Sequence, residues 1–427
     1  MSAPASIAGR AAWLTDSDMQ RLLSALSRDG EAARFAGGAV RDAMLGEAGG
    51  DIDIATTTLP DETIRRAEAA GFRTVPTGID HGTITVLVHG RPVEVTTLRA
   101  DVDTDGRHAR VAFGRGWQAD AERRDFTING LYAEADGTVV DFVGGVDDLQ
   151  TRTVRFIGDP DRRIREDYLR ILRFFRFFAR FGTGRPDADG LRACARLKDG
   201  LDRLSAERVW AELKKTLAVA DPSRALLWMR QAGVLTRVLP ESEKWGIDAI
   251  QGLVAADRDL GWTPDPLLRI AAIVPPDAER MKALAERLRL SKAEAERLVG
   301  WAQAPAPKPE TSEAALARQL YATGAAGTID RLRLALAAAR AKAMMDTSVL
   351  IQAGGFARQL AFAEGWKRPT FPVGGEEMKT LGVPPGPEMG ARLAALERDW
   401  IASGFALDRA ELLRRAAEAI SAPGEPR

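Results

Sequence analysis

The sequence predicts an α/β head followed by an elongated all-helical remainder. Two observations carry this prediction. Before about residue 145, several short runs alternate apolar and polar side chains, which is typical of strands that are buried on one face. From Arg162 onward this alternation disappears and apolar residues recur with helical spacing. Clusters of glycine and proline interrupt the helical part at 182–186, 304–309 and 374–375, and they mark its breaks.

We expect the chain to have four parts. They are a head over residues 1–145, a helical neck over 146–222, a helical body over 223–345 and a helical tail that binds RNA over 346–427. A chain of 427 residues is long enough for two to four domains.

The first elements of the head follow from local signals. Residues 16–27 have the spacing of an amphipathic helix, and residues 34–36 predict a strand that enters a glycine turn. Residues 61–70 predict a second helix, which Gly71 ends. Residues 83–88 and 92–97 alternate on either side of a short His-Gly-Arg turn, which is the pattern of a hairpin.

Composition excludes several classes of protein. Lysine plus arginine and aspartate plus glutamate both number 60, so a general polyanion binder is excluded and nucleic acid would have to bind at local patches. The single cysteine, Cys194, excludes an internal disulfide and fits a reducing compartment. Because there is no apolar run of about 18 residues and no signal-peptide core near the N-terminus, we expect a cytoplasmic protein.

The most informative motif is the glycine turn in Phe35-Ala-Gly-Gly-Ala-Val-Arg-Asp42. Gly37 and Gly38 allow the backbone to approach an anion closely. Residues 39–45 predict a helix whose N-terminus favours phosphate. The turn therefore predicts a phosphate cradle.

Two carboxylates follow the cradle at a short interval. Asp51 and Asp53 lie in a run of apolar and β-branched residues that predicts a strand, on which both side chains would share one face. Adjacent carboxylates repel unless a cation lies between them, and oxygen ligands favour Mg²⁺. A phosphate cradle beside such a pair is suited to transferring a nucleotide from a triphosphate.

In this order, the two motifs resemble the first motif of the polymerase-β-like nucleotidyltransferases. More narrowly, they are similar to the class II tRNA nucleotidyltransferase and bacterial poly(A) polymerase family. The resemblance implies a polymerase-β-like head with a small mixed sheet and catalysis at Asp51 and Asp53 with two Mg²⁺ ions. It also implies that Gly37, Gly38 and Arg41 bind the nucleotide.

A second motif, Arg-Arg-Asp-Phe-Thr-Ile-Asn-Gly at 123–130, matches the family closely, with glycine at its last position where alanine is more usual. The resemblance implies that Arg123 or Arg124 contacts the triphosphate, while Asp125 and Asn129 brace the nucleotide site. A guanidinium suits this role because its fixed fork of donors matches phosphate oxygens.

Glu94 stands out in the apolar, β-branched run of the predicted hairpin. In the wider superfamily a third carboxylate on a neighbouring strand completes the metal site, so Glu94 is either that ligand or a solvent-facing residue. Residues 98–108 are rich in aspartate and predict a mobile loop. They resemble the flexible loop of CCA-adding enzymes, which helps those relatives switch from adding C to adding A.

A third constellation predicts a helix over 165–176. Asp167, Arg170, Arg173 and Arg176 recur at every third residue along one stripe, while the neighbouring stripe is apolar. Buried arginines need anions. The stretch resembles the family motif Glu-Asp-x-x-Arg-x-x-Arg, in which side chains rather than a nucleic-acid template select the base.

This resemblance implies that Asp167 and Arg170 hydrogen-bond the Watson–Crick edge of the incoming base. A carboxylate accepts from the exocyclic amine of C or A, and a guanidinium donates to a ring nitrogen or carbonyl. Arg173 and Arg176 would hold phosphates or a network within the protein, and residues 174–178 are expected in the core. Downstream, residues 203–215 resemble the family's last motif and predict a bracing helix with Ser205 at its N-cap.

The leading functional prediction is a tRNA nucleotidyltransferase that adds the 3′-terminal CCA from CTP and ATP. The RNA 3′-hydroxyl would attack the α-phosphate in line, and the partner would be the acceptor arm and elbow of tRNA, with no obligatory protein partner inferred. The alternatives are a bacterial poly(A) polymerase, an enzyme that adds only CC or only A, and an inactive RNA-binding relative. A small-molecule nucleotidyltransferase would share the first motif, but it would not need the arginine stripe or the helical remainder.

Overall fold

The computed structural model describes residues 5–47, 50–103, 110–243 and 246–421. The chain forms two compact units, Met1–Pro240 and Glu241–Arg427. The predicted order, an α/β head followed by helices, is confirmed, and after Asp141 the described part of the chain contains helices and their connections. In the described ranges, no helix is both long enough and apolar enough to cross a membrane. The division into four parts stays a prediction.

A seven-stranded sheet organises the head, in the order β3-β4-β5-β2-β1-β8-β9. Strand β2 pairs parallel with β5, whereas the other neighbours in this sheet pair antiparallel. The strands are β1 (Ala33–Ala36), β2 (Asp53–Thr56), β3 (Arg73–Gly78), β4 (Thr83–Val88), β5 (Arg91–Thr97), β6 (Arg99–Asp103), β7 (Arg110–Phe113), β8 (Leu131–Ala133) and β9 (Val139–Asp141). The predicted hairpin is the pair β4 and β5.

In the described part of this unit, eleven α-helices surround and follow the sheet. They are α1 (Ser17–Leu26), α2 (Gly38–Leu45), α3 (Pro60–Ala69), α4 (Trp117–Glu122), α5 (Gly145–Gln150), α6 (Pro160–Glu166), α7 (Leu169–Phe181), α8 (Ala188–Leu197), α9 (Ala206–Leu217), α10 (Ser223–Gln231) and α11 (Val234–Val238). Phenylalanines of α7 lie in the core as predicted, and Phe174 stacks on Phe156 with ring centroids 5.4 Å apart.

The prediction that Asp51 and Asp53 share one strand is wrong. Strand β2 begins at Asp53, and Asp51 lies in a bend before it. The reason is the length of the neighbouring strand, since β1 ends at Ala36, the register partner of Asp53, where the glycine turn begins. Beyond that point β1 offers no backbone partner to residues before Asp53.

The prediction of a loop over 98–108 is wrong for its first part. Strands β6 and β7 pair antiparallel as a separate two-stranded ribbon, in which Arg99 is the register partner of Phe113. Aspartate and glycine are depleted in strands, which is why the composition indicated a loop, but pairing between the two segments overrides that preference. Residues 104–109 lie outside the described residues.

The predicted single helix over 165–176 is two helices, α6 and α7, with Asp167 between them. Asp167 is extended (φ −155°, ψ 110°), and its Oδ1 accepts a hydrogen bond from the Leu169 N–H at 3.0 Å. This side-chain turn ends one helix and starts the next, as aspartate often does. Asp167 therefore precedes the helix that carries Arg170, Arg173 and Arg176.

Within the residues that the structure describes, the second unit contains ten α-helices, with the bounds α12 (Ala249–Leu260), α13 (Pro266–Ile273), α14 (Ala278–Arg287), α15 (Lys292–Gln303), α16 (Glu313–Thr323), α17 (Ala325–Ala343), α18 (Leu350–Gly365), α19 (Gly375–Thr380), α20 (Pro387–Ala402) and α21 (Arg409–Ser421). Two apolar cores lie among the later helices of this unit, from α16 onward. One lies between α16, α17 and α18, and the other surrounds Trp400 of α20.

Candidate active site

A cleft of about 620 Å³ opens beside strands β1, β2 and β5 of the head. Most of the predicted site residues line it: Gly37, Gly38, Arg41, Asp53, Glu94, Arg123, Arg124, Asn129, Asp167, Arg170 and Arg173. Asp51 and Arg176 are not among the described residues that line the cleft. Three motifs that are distant in sequence therefore meet in one place.

The glycine turn forms one end of the cleft. Gly37 caps α2 with φ 63° and ψ −120°, a backbone conformation that side chains rarely adopt. A Cβ at this position would also lie 3.0 Å from Nη1 of Arg124. Gly37 therefore leaves room for an arginine beside the N-terminus of α2, where positive charge and helix N–H groups together favour phosphate.

The strand side of the cleft carries the carboxylates. Asp53 of β2 and Glu94 of β5 are register partners in a parallel pair, so their side chains project from the same face. Burial, together with the charges of Glu94 and Asp51, raises the pKa of Asp53 to about 6, and the charge of Arg124 opposes the shift. Asp51 is thus close enough to influence Asp53 although it lies outside the strand.

This set of carboxylates suits a hard cation. Oxygen donors with like charge are the ligands that Mg²⁺ prefers, and a cation would relieve the repulsion that raises the pKa of Asp53. In the described ranges, no group of three or more His, Cys, Asp or Glu residues is placed so that it could hold a metal ion. The role of Asp51, Asp53 and Glu94 as metal ligands therefore stays a proposal.

The paired arginines of the second motif converge on a residue that sequence reasoning missed. Asp120, in α4, accepts hydrogen bonds from Nε of Arg123 at 2.8 Å and from Nη2 of Arg124 at 3.2 Å. Its Oδ2 also accepts from the Tyr132 hydroxyl at 2.6 Å. The spacing of three and four residues between Asp120 and the two arginines was the available signal, since such pairs meet on a helix.

A chain of ion pairs and amide hydrogen bonds joins the glycine helix to α7. Arg41, which is buried, donates to Asp42 and to the side-chain oxygen of Asn129. Asn129 in turn donates to Asp125 at 2.9 Å, and Asp125 accepts from Nε of Arg173 at 2.7 Å. Burial opposes ionisation of Asp125, but Arg173 and the hydrogen-bond donors outweigh it, so its pKa lies below the usual value.

The residues that would read the base are held from outside α7. Asp167 Oδ2 accepts from Nη2 of Arg208, in α9, at 2.7 Å, and Arg208 also lines the cleft. Arg170 donates to Glu166 and, at 2.8 Å, to the backbone oxygen of Arg163. The predicted bracing helix is therefore α9, and Arg208 is the residue through which it contacts Asp167.

One detail of the predicted neck differs from expectation, and another agrees with one of its two predicted alternatives. Ser205 immediately precedes α9, as predicted, but its side chain makes no capping hydrogen bond to the described first turn of that helix. Arg176 donates to Glu212 of α9 at 2.6 Å. It thus holds a network within the protein, which was one of its two predicted roles.

A mixed sheet that brings a glycine turn, paired carboxylates and an arginine-rich helix to one cleft defines a nucleotidyltransferase. Residues 33–155 match the family model of the poly A polymerase head domain. Residues 186–245 match a model described as a probable RNA and SrmB binding site of polymerase A.

The mitochondrial CCA tRNA nucleotidyltransferase 1 of Mus musculus is 34% identical, covering 92% of this chain and 88% of the relative. The Homo sapiens enzyme has the same identity and coverage. A crystal structure of the Bacillus stearothermophilus CCA-adding enzyme in complex with CTP is similar at a TM-score of 0.72 and 25% identity, covering 95% of this chain and 98% of that chain. The chain belongs to the CCA tRNA nucleotidyltransferase family, and the predicted family, polymerase-β-like head and enzyme class are confirmed.

Proposed function

We propose that this protein adds the 3′-terminal C, C and A to tRNA, using CTP and ATP and no nucleic-acid template. The observation that carries this proposal is the shared cleft. Asp167 and Arg170, whose chemistry suits the base edges of C and A, line the same cleft as Asp53 and the paired arginines. Relatives of similar length are named for this activity, and one similar structure, from Thermotoga maritima, is of an enzyme complexed with tRNA.

In this proposal each wall of the cleft has its own task. Arg123 and Arg124, beside the glycine turn, bind the triphosphate through paired N–H donors. Asp167 accepts from the exocyclic amine of C or A, and Arg170 donates to the neighbouring ring atom. The wrong donor pattern of G and U excludes them from the same contacts.

Asp51, Asp53 and Glu94 would hold Mg²⁺ at the strand wall, which is the side of the cleft formed by β2 and β5. Bound there, the ions would lower the pKa of the RNA 3′-hydroxyl and stabilise negative charge on the departing pyrophosphate. The protein itself orients the nucleotide between the strand wall and the helix wall, which is the side of the cleft formed by α7. The 3′-hydroxyl of tRNA then attacks the α-phosphate in line.

A cytoplasmic location is also proposed. It is supported by the single cysteine, Cys194, which is buried and free. The relatives with the highest coverage carry mitochondrial names, so fractionation of the source cells would test this part of the proposal.

The experiment is incorporation into tRNA that lacks its last three nucleotides, with each radiolabelled nucleotide supplied alone. We expect two additions from CTP, none from UTP or GTP, and one from ATP only when the RNA already ends in CC. A long tail from ATP alone would instead identify a poly(A) polymerase. Addition of only CC, or only the final A, would identify one of the split enzymes.

Loss of all incorporation, with retained tRNA binding, would identify an inactive RNA-binding relative. Transfer to a small molecule but not to tRNA would contradict the proposal as a whole.

A further inference from the structure

A single buried carboxylate holds both arginines that face the nucleotide. The side chain of Asp120 is 1% exposed. Its Oδ1 accepts from Nε and Nη2 of Arg123 at 2.8 and 2.6 Å. Its Oδ2 accepts from Arg124 at 3.2 Å and from the Tyr132 hydroxyl at 2.6 Å.

The surroundings fix this carboxylate in place. Tyr132 belongs to β8 and is fully buried, in one apolar cluster with Ala121 of α4 and Leu98. The hydroxyl therefore anchors Asp120 to the sheet rather than to a mobile surface. Burial opposes ionisation, but the arginines and the tyrosine hydroxyl outweigh it, so the pKa of Asp120 lies below its usual value.

We propose that Asp120 is a positioning residue that aims Arg123 and Arg124 at the triphosphate of either nucleotide. This inference rests on the proposed function, since it concerns how the same cleft binds its substrate. A guanidinium has five N–H donors in a rigid, planar fork. When Asp120 accepts from some of these donors, the direction of the remaining donors is fixed as well.

Two roles of Asp120 predict opposite results. If Asp120 only neutralised charge, removing it would leave two uncompensated arginines and bind polyphosphate more tightly. If Asp120 aims the arginines, removing its charge releases Arg123 and loosens Arg124, whose Nη1 also donates to the backbone oxygen of Asn129 at 3.3 Å. Binding then weakens, because the ligand must order these donors. The sign of the change therefore separates the two roles.

The test uses Asp120→Asn in the full-length chain. The probe is inorganic tripolyphosphate as a competitive inhibitor, together with KM for CTP and for ATP. We expect its inhibition constant and both KM values to rise by about tenfold, equal to a loss of about 1.4 kcal/mol. The ratio of CMP to UMP incorporation should stay unchanged, because triphosphate contacts carry no base information.

The matched control is Asp202→Asn. Asp202 also pairs with an arginine, Arg237, but it is 57% exposed and does not line the cleft. This variant should leave the inhibition constant within about twofold, as expected for an exposed ion pair. Tighter binding or no change in Asp120→Asn would overturn the inference.

A second variant keeps the test valid if Asp120→Asn does not fold. Tyr132→Phe retains the ring, which packs against Trp117 at a centroid distance of 5.2 Å, and it removes only the hydroxyl that anchors Asp120. We expect the inhibition constant to rise by about threefold, less than in Asp120→Asn, because the carboxylate keeps its charge and its bonds to both arginines and loses only the hydroxyl that anchors it. An unchanged constant in a folded Tyr132→Phe would also overturn the inference.

Failure of the proposed function can be told apart from failure of this inference. If Arg123→Ala and Arg124→Ala each leave tripolyphosphate inhibition unchanged, the arginines do not bind triphosphate and the proposed function fails at this point. If these two variants weaken inhibition and Asp120→Asn does not, the proposed function stands and Asp120 has no positioning role.

Discussion

The two walls of the cleft treat charge in opposite ways. On the strand wall, Asp53 and Glu94 lie side by side as register partners, and burial together with the charge of Glu94 raises the pKa of Asp53 above that of an ordinary aspartate. On the helix wall, arginines are paired with carboxylates, as Arg173 is with Asp125 and Arg170 with Glu166. The strand wall therefore favours a cation, whereas the arginines of the helix wall are already neutralised by their carboxylates.

The largest effect on activity is expected when a carboxylate is removed from the strand wall. Asp53→Ala, and likewise Asp51→Ala, should reduce incorporation of both CMP and AMP by about a thousandfold or more, because both additions use one site. Single-turnover incorporation measures the loss, and tRNA binding by gel shift should stay nearly unchanged.

The control for this prediction is Asp189→Ala. Asp189 is an exposed aspartate of α8 that pairs with Arg192 on the surface, so its removal should not change incorporation. Loss of only CMP or only AMP incorporation in Asp53→Ala would show that the two additions use separate centres.

A second prediction disturbs the helix wall at the pair of Arg173 and Asp125. Arg173→Ala leaves Asp125, which is 9% exposed, without the guanidinium that contacts it. We expect the free energy of unfolding to fall by about 3 kcal/mol. Urea denaturation measures this change.

Incorporation by Arg173→Ala should fall for both nucleotides with no change in their ratio, because structural contacts carry no base information. Arg173→Lys, which keeps the charge, should recover part of the stability. A change in base ratio would instead place Arg173 among the base-reading residues.

The third prediction concerns base choice at the other end of the helix wall. Asp167→Ala should lower the preference for CMP and AMP over UMP and GMP by about 1.5–3 kcal/mol, since a charged hydrogen bond to the base is lost. Arg208→Ala should act in the same direction with a smaller effect, because it removes the donor that orients Asp167 at 2.7 Å.

The measurement is kcat/KM for all four nucleotides, on tRNA that ends at the discriminator base for the preference for CMP and on tRNA that ends in CC for the preference for AMP. If the two effects are additive in the double variant, Arg208 does not act through Asp167. If Asp167→Ala slows all four nucleotides equally, Asp167 has no role in templating.

The sequence predicted those parts of the cleft whose structure depends on residues that are close together in the chain. The glycine turn, helix α2 and the hairpin of β4 and β5 follow from backbone preferences and alternation over a few residues. The pairing of Asp53 with Glu94 was left open, because a register between strands that lie 41 residues apart is set by the whole sheet.

The errors arose where a long-range partner decides the local structure. The break at Asp167 was missed because helical periodicity continues across it, while the side chain of Asp167 accepts from the backbone and from Arg208, a residue in another helix. Asp120 was missed because its spacing to the two arginines is also that of an ordinary exposed ion pair, and the sequence does not show that Asp120 is buried. Burial of a charged group is a property of the fold, so it could not be read from the motif.

The smallest expected effect separates the two arginines that end the stripe on α7. Arg176 is similar in type and spacing to Arg173, but it donates to Glu212 and does not line the cleft. Arg176→Gln should lower the free energy of unfolding by about 1 kcal/mol, because glutamine can still donate one hydrogen bond to the buried Glu212 carboxylate. KM for CTP and ATP should stay within about twofold of the unmodified enzyme, since no cleft contact is lost.

The measurement combines urea denaturation with steady-state incorporation, and Arg173→Gln is the matched variant on the same helix. We expect Arg173→Gln to lower incorporation and Arg176→Gln to leave it intact. If Arg176→Gln raises both KM values as the Arg123 and Arg124 variants do, Arg176 is a phosphate ligand. The helix wall would then not be neutralised in advance, and the contrast between the two walls would fail at that residue.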